Sequence, residues 1–143
     1  MIEQERKFLL VSMPKTDGTI KIKQGYLMFD GNKHLRVRII DDQKAYLTFK
    51  TIHTAQERTE YEYEIPISDA IEMLNNCNCK LEKTRHKTSF EGNIVDIDVY
   101  PDGLSVVEIE YENELGQLPY YCGEEITGLS EYSNVNIAYR QSC

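Results

Sequence analysis

The 143-residue sequence predicts a mainly β (α+β) fold, an eight-stranded antiparallel tunnel barrel with a few outer helices, and two observations carry the prediction. Segments with alternating or β-branched residues, the pattern of a strand, recur eight times along the chain. Turn signals such as Asp30-Gly31-Asn32 and Pro101-Asp102-Gly103 separate several of them, and short links favour antiparallel neighbours. Eight such strands are enough to close a sheet into a barrel.

Taken in order, the predicted strands lie near residues 2–10, 20–28, 34–41, 44–51, 58–67, 80–88, 93–100 and 104–112. After the fifth strand, Ser68 is the expected N-cap of an outer helix that ends at Asn75-Asn76. A second helix is expected from about 130 to 142, where Tyr132, Val135 and Tyr139 recur at helical spacing. It would close one wall or one end of the barrel.

Length and composition predict a single domain over residues 1–143 that is soluble and cytoplasmic. The sequence shows neither an apolar run long enough to span a membrane nor a signal-peptide pattern. The formal net charge of −8 argues against a general nucleic-acid or anionic-membrane binder. The four cysteines and three histidines show no zinc-like spacing, and the cysteines are expected to be reduced thiols.

Charged residues occupy alternate positions of most predicted strands, and apolar residues fill the positions between them. The charged sets are Glu3/Glu5/Lys7, Arg36/Arg38, Glu60/Glu62, Lys83/Arg85, Asp96/Asp98 and Glu108/Glu110. A dry interior holding so many ions would cost several kcal/mol for each incompletely paired charge. We therefore expect a wide, wet tunnel whose charged faces hold a metal and a polyanion, with the apolar faces turned outward.

The cations of this pattern exceed what a single carboxylate or monophosphate needs, and a chain of phosphates is their natural complement. The expected substrate-binding residues are Lys7, Arg36, Arg38, Lys50, Arg58, Lys83 and Arg85. A structural salt bridge to Glu60 or Glu62 is the alternative role for Arg58. The acidic residues offer only hard oxygen ligands, which suit Mg²⁺ or Mn²⁺.

The motif Glu3-x-Glu5-x-Lys7 and the segments that follow it in order resemble the CYTH, or triphosphate tunnel metalloenzyme, family. These segments are Lys23–Leu27, Arg36–Arg38, Thr48–Lys50, Arg58–Glu62, Lys83–Arg85, Asp96–Asp98, Glu108–Glu110 and Gly123–Thr127. The resemblance covers nearly the whole chain and implies a linear triphosphate as the anion. It also implies metal ligation by Glu3, Glu5, Glu108 and Glu110, with Asp96 as an additional ligand and Asp98 as its fallback.

Tyr26 and Lys50 resemble a tyrosine–lysine pair associated with inorganic tripolyphosphatases of this family. They are the expected catalytic residues, with Lys50 positioning the terminal phosphate or the attacking water. Ordinary packing within the sheet is the alternative role for Tyr26.

The resemblance implies a metal-dependent hydrolase that cleaves inorganic tripolyphosphate to pyrophosphate and phosphate by attack of activated water. Alternatives of the same fold are a nucleoside triphosphatase, a thiamine triphosphatase and a class IV adenylate cyclase. A different alternative is a non-catalytic polyphosphate-binding module. The expected partner is a triphosphate-containing small molecule, and the sequence leaves the oligomeric state open.

Overall fold

A computed structural model describes residues 2–142. The strands are β1 (Ile2–Leu10), β2 (Gly18–Asp30), β3 (Lys33–Ile40), β4 (Lys44–Ile52), β5 (Glu57–Ile65), β6 (Cys79–Phe90), β7 (Asn93–Val99), β8 (Ser105–Tyr111) and β9 (Cys122–Glu125). The helices are α1 (Ile67–Asn75), a 3₁₀ turn (Ser130–Tyr132) and α2 (Asn134–Ser142). The eight predicted strands are all present, and β9 was not predicted.

The first eight strands form a closed antiparallel barrel, which confirms the predicted fold. They follow the order β5-β4-β3-β2-β6-β7-β8-β1, and pairing of β1 with β5 closes the sheet through Ile2 opposite Thr59 and Glu3 opposite Arg58. Only the first part of β1 pairs with β5. The later part pairs with the short β9, where Phe8 lies opposite Glu125.

Helix α1 packs on the outside of the barrel, where Ala70 is buried against Val37, Ile39 and Ala45. It begins at Ile67, directly after Pro66, and no side chain caps it, so the predicted N-cap at Ser68 was wrong. Proline stands at the N-cap with φ −58°, and its missing N–H costs nothing where helical donors lack partners anyway.

The apolar faces of the strands mostly point outward, as predicted. Beneath the segment that contains Tyr121, the outer faces of β1, β7 and β8 form one buried cluster. Its strand residues are Phe8, Val95, Ile97, Val107 and Ile109. These positions alternate with the charged residues of the same strands, which places the charges on the inner face.

One region of the inner face is apolar, whereas the apolar faces of the strands were expected to turn outward. Leu81, Tyr100 and Val106 share the inner face with the charged residues of β6, β7 and β8, and Ile137 and Ala138 of α2 pack against them. The second predicted helix therefore closes one part of the barrel by burying apolar side chains against its interior.

Cys77 and Cys122 are free thiols, as predicted. Cys79 is disulfide-bonded, so the expectation of reduced cysteines was wrong at that position, and Cys143 lies outside the described residues. No helix within residues 2–142 is both long and apolar enough to cross a membrane.

Candidate active site

The inner faces of the strands enclose a cavity of about 180 Å³, called the central cavity below. Among the described residues, every side chain that lines it is ionic except that of Asn134. Its acidic lining residues are Glu3, Glu5, Glu60, Glu62, Asp96, Glu108 and Glu110. Its cationic lining residues are Arg36, Arg38, Lys50, Arg58 and Arg85. Strand alternation brings these side chains together, because each occupies an inward position of its strand.

Two larger cavities share lining residues with the central cavity. One, of about 660 Å³, meets it at Glu3 and Glu110 and is called the acidic cavity. The other, of about 560 Å³, meets it at Glu5, Lys50, Arg58 and Asn134 and is called the aromatic cavity because Tyr26, Phe29 and His34 line it. Glu3 and Glu110 thus face the acidic cavity, whereas Glu5 lies with Tyr26 and Lys50 on the aromatic cavity.

Glu3 and Glu110, the carboxylates shared by the central and acidic cavities, carry more negative charge than their surroundings neutralise. A hydrogen bond shared with Glu60, together with burial, raises the pKa of Glu3 to about 8. Burial and the nearby Glu5 and Asp96 raise the pKa of Glu110. Such mutual repulsion is the condition that a bound cation relieves.

Arg58 joins the carboxylates of β1 to those of β5. Its Nη2 donates to Glu5 Oε2 at 2.5 Å and lies 3.6 Å from Glu3 Oε2, and its Nε lies 3.9 Å from Glu60 Oε1. Arg58 therefore forms the salt bridge to Glu60 that was predicted as its alternative role. Within the described residues it forms no ion pair with Glu62. Its strongest contact is with Glu5, a predicted metal ligand.

Asp96 and Asp98 differ sharply in their access to the cavity. Asp98 is fully buried and accepts hydrogen bonds from Lys83 at 2.7 Å and from Arg85 at 2.8 and 3.0 Å. Asp96 borders the central cavity, and burial raises the pKa of its carboxyl group. The geometry therefore favours Asp96 over Asp98 as an additional metal ligand, because the Asp98 oxygens are already occupied.

Glu108 lies between two cations. Its carboxylate is 3.6 Å from Lys7 Nζ and 3.5 Å from Arg85 Nη2. Burial alone would raise its pKa, but Lys7, Lys83 and Arg85 together hold the pKa well below its usual range. Glu108 is therefore ionised, as a metal ligand or a partner of the cations must be.

Within residues 2–142, no three His, Cys, Asp or Glu side chains are already gathered at the spacing of a metal centre. The ion pairs explain this, since Arg58 holds Glu5 and Arg85 holds Asp96 and Glu108. The donor set still fits a hard divalent cation, because it consists of carboxylates and two of them, Glu3 and Glu110, have raised pKa values.

Two buried arginines of β3, Arg36 and Arg38, line the central cavity. Arg38 donates from Nε to Gln24 Oε1 at 2.8 Å, and among the described residues it has no carboxylate within ion-pair distance. Burial, with Arg36 and Arg85 nearby, lowers the pKa of Arg38 to about 9. Arg36 lies 3.8 Å from Glu62, and its buried Nε has no hydrogen-bond partner. Both guanidiniums therefore have unused capacity for an anion.

Two predicted substrate-binding residues do not border the central cavity. Lys83 is held inside the wall, where its ammonium donates to Asp98 and lies 3.3 Å from Asn134 Oδ1. Lys7 lines the aromatic cavity and contacts Glu5 and Glu108 at 3.8 and 3.6 Å. Their role in phosphate binding stays a prediction.

Tyr26 and Lys50 both line the aromatic cavity, and Lys50 also borders the central cavity. Burial, with Arg36 and Arg58 nearby, lowers the pKa of Lys50 to about 7. Burial raises the pKa of Tyr26, whose hydroxyl accepts a hydrogen bond from Gln24 Nε2 at 3.1 Å. The two residues thus share a space, with Lys50 the closer of the two to the ionic lining.

Sequence reasoning missed several residues of the site. Glu60 and Glu62 were predicted to lie on a charged face of the tunnel, and both line the cavity, but no binding role was assigned to them. Phe29 could not be found from strand spacing, because a bulge between Tyr26 and Met28 shifts the register of β2 and brings Phe29 opposite His34. Asn134 gave no sequence signal, since its contact with the cavity depends on where α2 docks.

The chain is similar to proteins of known family and structure. Residues 1–139 match the CYTH domain family. The inorganic triphosphatase of Acetivibrio thermocellus is 42% identical over 122 residues, which are 80% of this chain and 78% of that protein. The chain also superposes on the crystal structure of the inorganic triphosphatase NE1496 with a TM-score of 0.69 and 28% sequence identity. The match covers 95% of this chain and 93% of that chain. A conserved hypothetical protein from Pyrococcus furiosus shares the fold, with a TM-score of 0.65 at 22% identity, over 78% of this chain and 80% of that chain.

Proposed function

Because the chain belongs to the CYTH domain family, we propose that it is a metal-dependent hydrolase that cleaves inorganic tripolyphosphate to pyrophosphate and phosphate. The relatives named inorganic triphosphatases support this substrate. The cytoplasmic location and the single domain over residues 1–143 expected from the sequence belong to the same proposal.

The proposal rests on the state of Arg38. This residue is only 8% exposed, and its guanidinium has no acidic partner among the described residues. A buried cation without a counter-ion is costly, and the cost is offset when an anion enters. Arg36, with its unpartnered Nε, lies on the same strand two residues away. Together they offer fork-shaped donors at successive inward positions, which suits an anion with several phosphate groups.

The carboxylates opposite these arginines supply the metal-binding side. Glu3 and Glu110 would hold Mg²⁺ or Mn²⁺ first, and Glu5, Asp96 and Glu108 would join them when their arginine partners turn to the substrate. When bound, the ion supplies charge neutralisation at the phosphate oxygens and activation of water.

The residues of this chain would then act on the bound triphosphate as follows. Arg36 and Arg38 hold its oxygens from β3, and Arg58 and Arg85 from β5 and β6. Lys50 positions the terminal phosphate or the water near it. Water attacks a terminal phosphorus, the bond to the bridging oxygen breaks, and pyrophosphate leaves with the charge that the arginines stabilise.

The aromatic cavity favours a nucleoside triphosphate as a second candidate substrate. It is contiguous with the ionic lining through Lys50 and Arg58, and Phe29 and His34 lie in it with ring centroids 4.8 Å apart and ring planes tilted by 47°. A flat organic group attached to a triphosphate would find apolar and aromatic contacts there.

The test is phosphate release from tripolyphosphate, ATP, thiamine triphosphate and pyrophosphate, each with Mg²⁺ and with Mn²⁺, with cyclic AMP measured in parallel. We expect metal-dependent release that is fastest with tripolyphosphate and absent with pyrophosphate. Faster turnover of ATP would move the assignment to the second candidate. Binding of tripolyphosphate without any phosphate release would instead indicate a non-catalytic polyphosphate-binding module.

A further inference from the structure

Asn134, the first residue of α2, is the only non-ionic residue lining the central cavity within the described part of the chain. It also lines the aromatic cavity, so it stands where the two spaces meet. No other residue of α2 borders the central cavity. The helix therefore contributes a single amide to an otherwise ionic site.

The orientation of this amide is fixed by two donors. Asn134 Oδ1 accepts from the Tyr100 hydroxyl at 2.5 Å and from Lys83 Nζ at 3.3 Å. An ammonium can only donate, and the buried Tyr100 phenol keeps its proton because its pKa is raised by burial. A flipped amide would turn its NH₂ towards the ammonium, so the oxygen must face this pair.

The amide nitrogen is left without a partner. Over residues 2–142, no hydrogen bond leaves Asn134 Nδ2. Because the oxygen side of the amide is taken up by the wall, the nitrogen is the polar atom that remains for the cavity. Two N–H donors at this position are suited to phosphate oxygens and unsuited to a metal ion.

We propose that Asn134 is a substrate-binding residue whose Nδ2 donates a hydrogen bond to a phosphate oxygen of a triphosphate in the central cavity. The proposal rests on the proposed function. It makes docking of α2 part of the binding site, since the amide is in place only when Ile137 and Ala138 are packed against the barrel.

The decisive comparison is between Asn134→Asp and Asn134→Ala. Aspartate keeps an acceptor for Tyr100 and Lys83 but replaces the proposed donor by a negative oxygen. Alanine loses both. We expect kcat/KM for tripolyphosphate to fall at least about tenfold in the alanine variant and further in the aspartate variant. A purely structural role predicts the reverse order, with aspartate the milder change, and that order would overturn the proposal.

Gln141→Glu is the matched control, because Gln141 lies exposed near the far end of α2 and the change adds the same charge. Its kcat/KM should stay within about twofold of the wild type, since exposed charges away from the substrate interact weakly through water. A loss as large as that of Asn134→Asp would mean that charge on α2, and not the donor, determines the effect.

Aspartate at position 134 would also attract Lys83, and a double-mutant cycle separates this effect from the loss of the donor. In a Lys83→Met background, Asn134→Asp should still lower kcat/KM by about tenfold. If Asn134→Asp has no effect in the Lys83→Met background, Asn134 acts only through Lys83 and is not a substrate contact.

Calorimetric titration with sodium tripolyphosphate separates failure of this proposal from failure of the proposed function. A wild type that binds but does not turn over the anion would contradict the hydrolase assignment. The Asn134 proposal would then be decided by affinity alone. The affinity for tripolyphosphate is expected to be highest in the wild type, lower in Asn134→Ala and lowest in Asn134→Asp. Equal affinity in all three proteins would overturn it whatever the activity.

Discussion

Arg58 Nη2 donates to Glu5 Oε2 at 2.5 Å, and this contact joins a predicted substrate-binding residue to a predicted metal ligand. Strand pairing explains it, because β1 and β5 close the barrel with Glu3 opposite Arg58, which brings Glu5 within reach of the guanidinium. Glu5 cannot ligate a metal fully while Arg58 occupies its oxygen. Metal binding and the position of Arg58 are therefore expected to be coupled.

Replacing Arg58 by Met should tighten Mn²⁺ binding in the absence of substrate by about fivefold or more, because Glu5 loses a competing charge-assisted contact. The same variant should lose at least about tenfold in kcat/KM, since the proposed phosphate donor is gone. Titration with Mn²⁺ and steady-state kinetics measure the two effects.

Arg6→Met is the control for this variant. Arg6 lies on the outer face of β1, where it forms a partly exposed ion pair with Glu125 at 2.7 Å. Removing this pair should change neither Mn²⁺ affinity nor kinetics. Unchanged Mn²⁺ affinity in Arg58→Met would contradict the proposed competition for Glu5.

Glu3→Gln and Glu110→Gln should each remove most metal-dependent turnover and leave the fold largely intact. Each change removes the charge that a proposed metal ligand would present to the ion, with little change in volume, and it also relieves repulsion among the carboxylates. Melting temperatures should therefore stay equal or rise slightly. The charge-matched control is Glu82→Gln, at an exposed position of β6, which should keep full activity. Near-normal activity of both site variants at saturating Mg²⁺ and Mn²⁺ would remove Glu3 and Glu110 from the metal site.

Arg38→Ala should weaken tripolyphosphate binding or turnover by about 1.5–3 kcal/mol, the scale of a charge-assisted hydrogen bond. Arg38→Lys should restore activity only in part, because it keeps the charge and loses the fork that donates to Gln24 and is proposed to reach the substrate. Melting temperature and kcat/KM of both variants separate a substrate contact from a structural one. Lost stability with intact kinetics would end the phosphate-contact interpretation.

Lys50 should make stability depend on pH in a defined direction. Its pKa falls from an ordinary 10.5 to about 7 in the folded protein. Between these values the unfolded chain holds a proton that the folded protein lacks, so the contribution of Lys50 to stability rises with pH over this window. Below pH 7 both states hold the proton, and the destabilisation is complete.

Lys50→Met removes this destabilising charge, so it should raise the melting temperature most at pH 6–7 and progressively less towards pH 10. Thermal melts across that range measure the difference from the wild type. Lys33→Met, at an exposed position of β3, is the control and should show no such trend. A gain that stays constant or grows with pH would argue against a depressed pKa for Lys50.

The sequence alone determined which face of each strand is charged, because side-chain alternation is a local property of the chain. It was enough to place Glu3, Arg38 and Glu110 on one inner surface and to predict the barrel. The β9 strand escaped detection because four residues carry too little periodicity. The start of α1 was misplaced because Pro66 takes the N-cap position that Ser68 was expected to fill.

Tertiary structure decided which inward residues meet. The register in which β1 pairs with β5 brings Arg58 into contact with Glu5. The pairing of β6 with β7 buries Asp98 between Lys83 and Arg85. Asp96 is left at the central cavity. Docking of α2 brings Asn134 to the lining from a distant part of the sequence. Such contacts depend on strand register and helix packing across the barrel, and residue spacing within a single strand does not encode them.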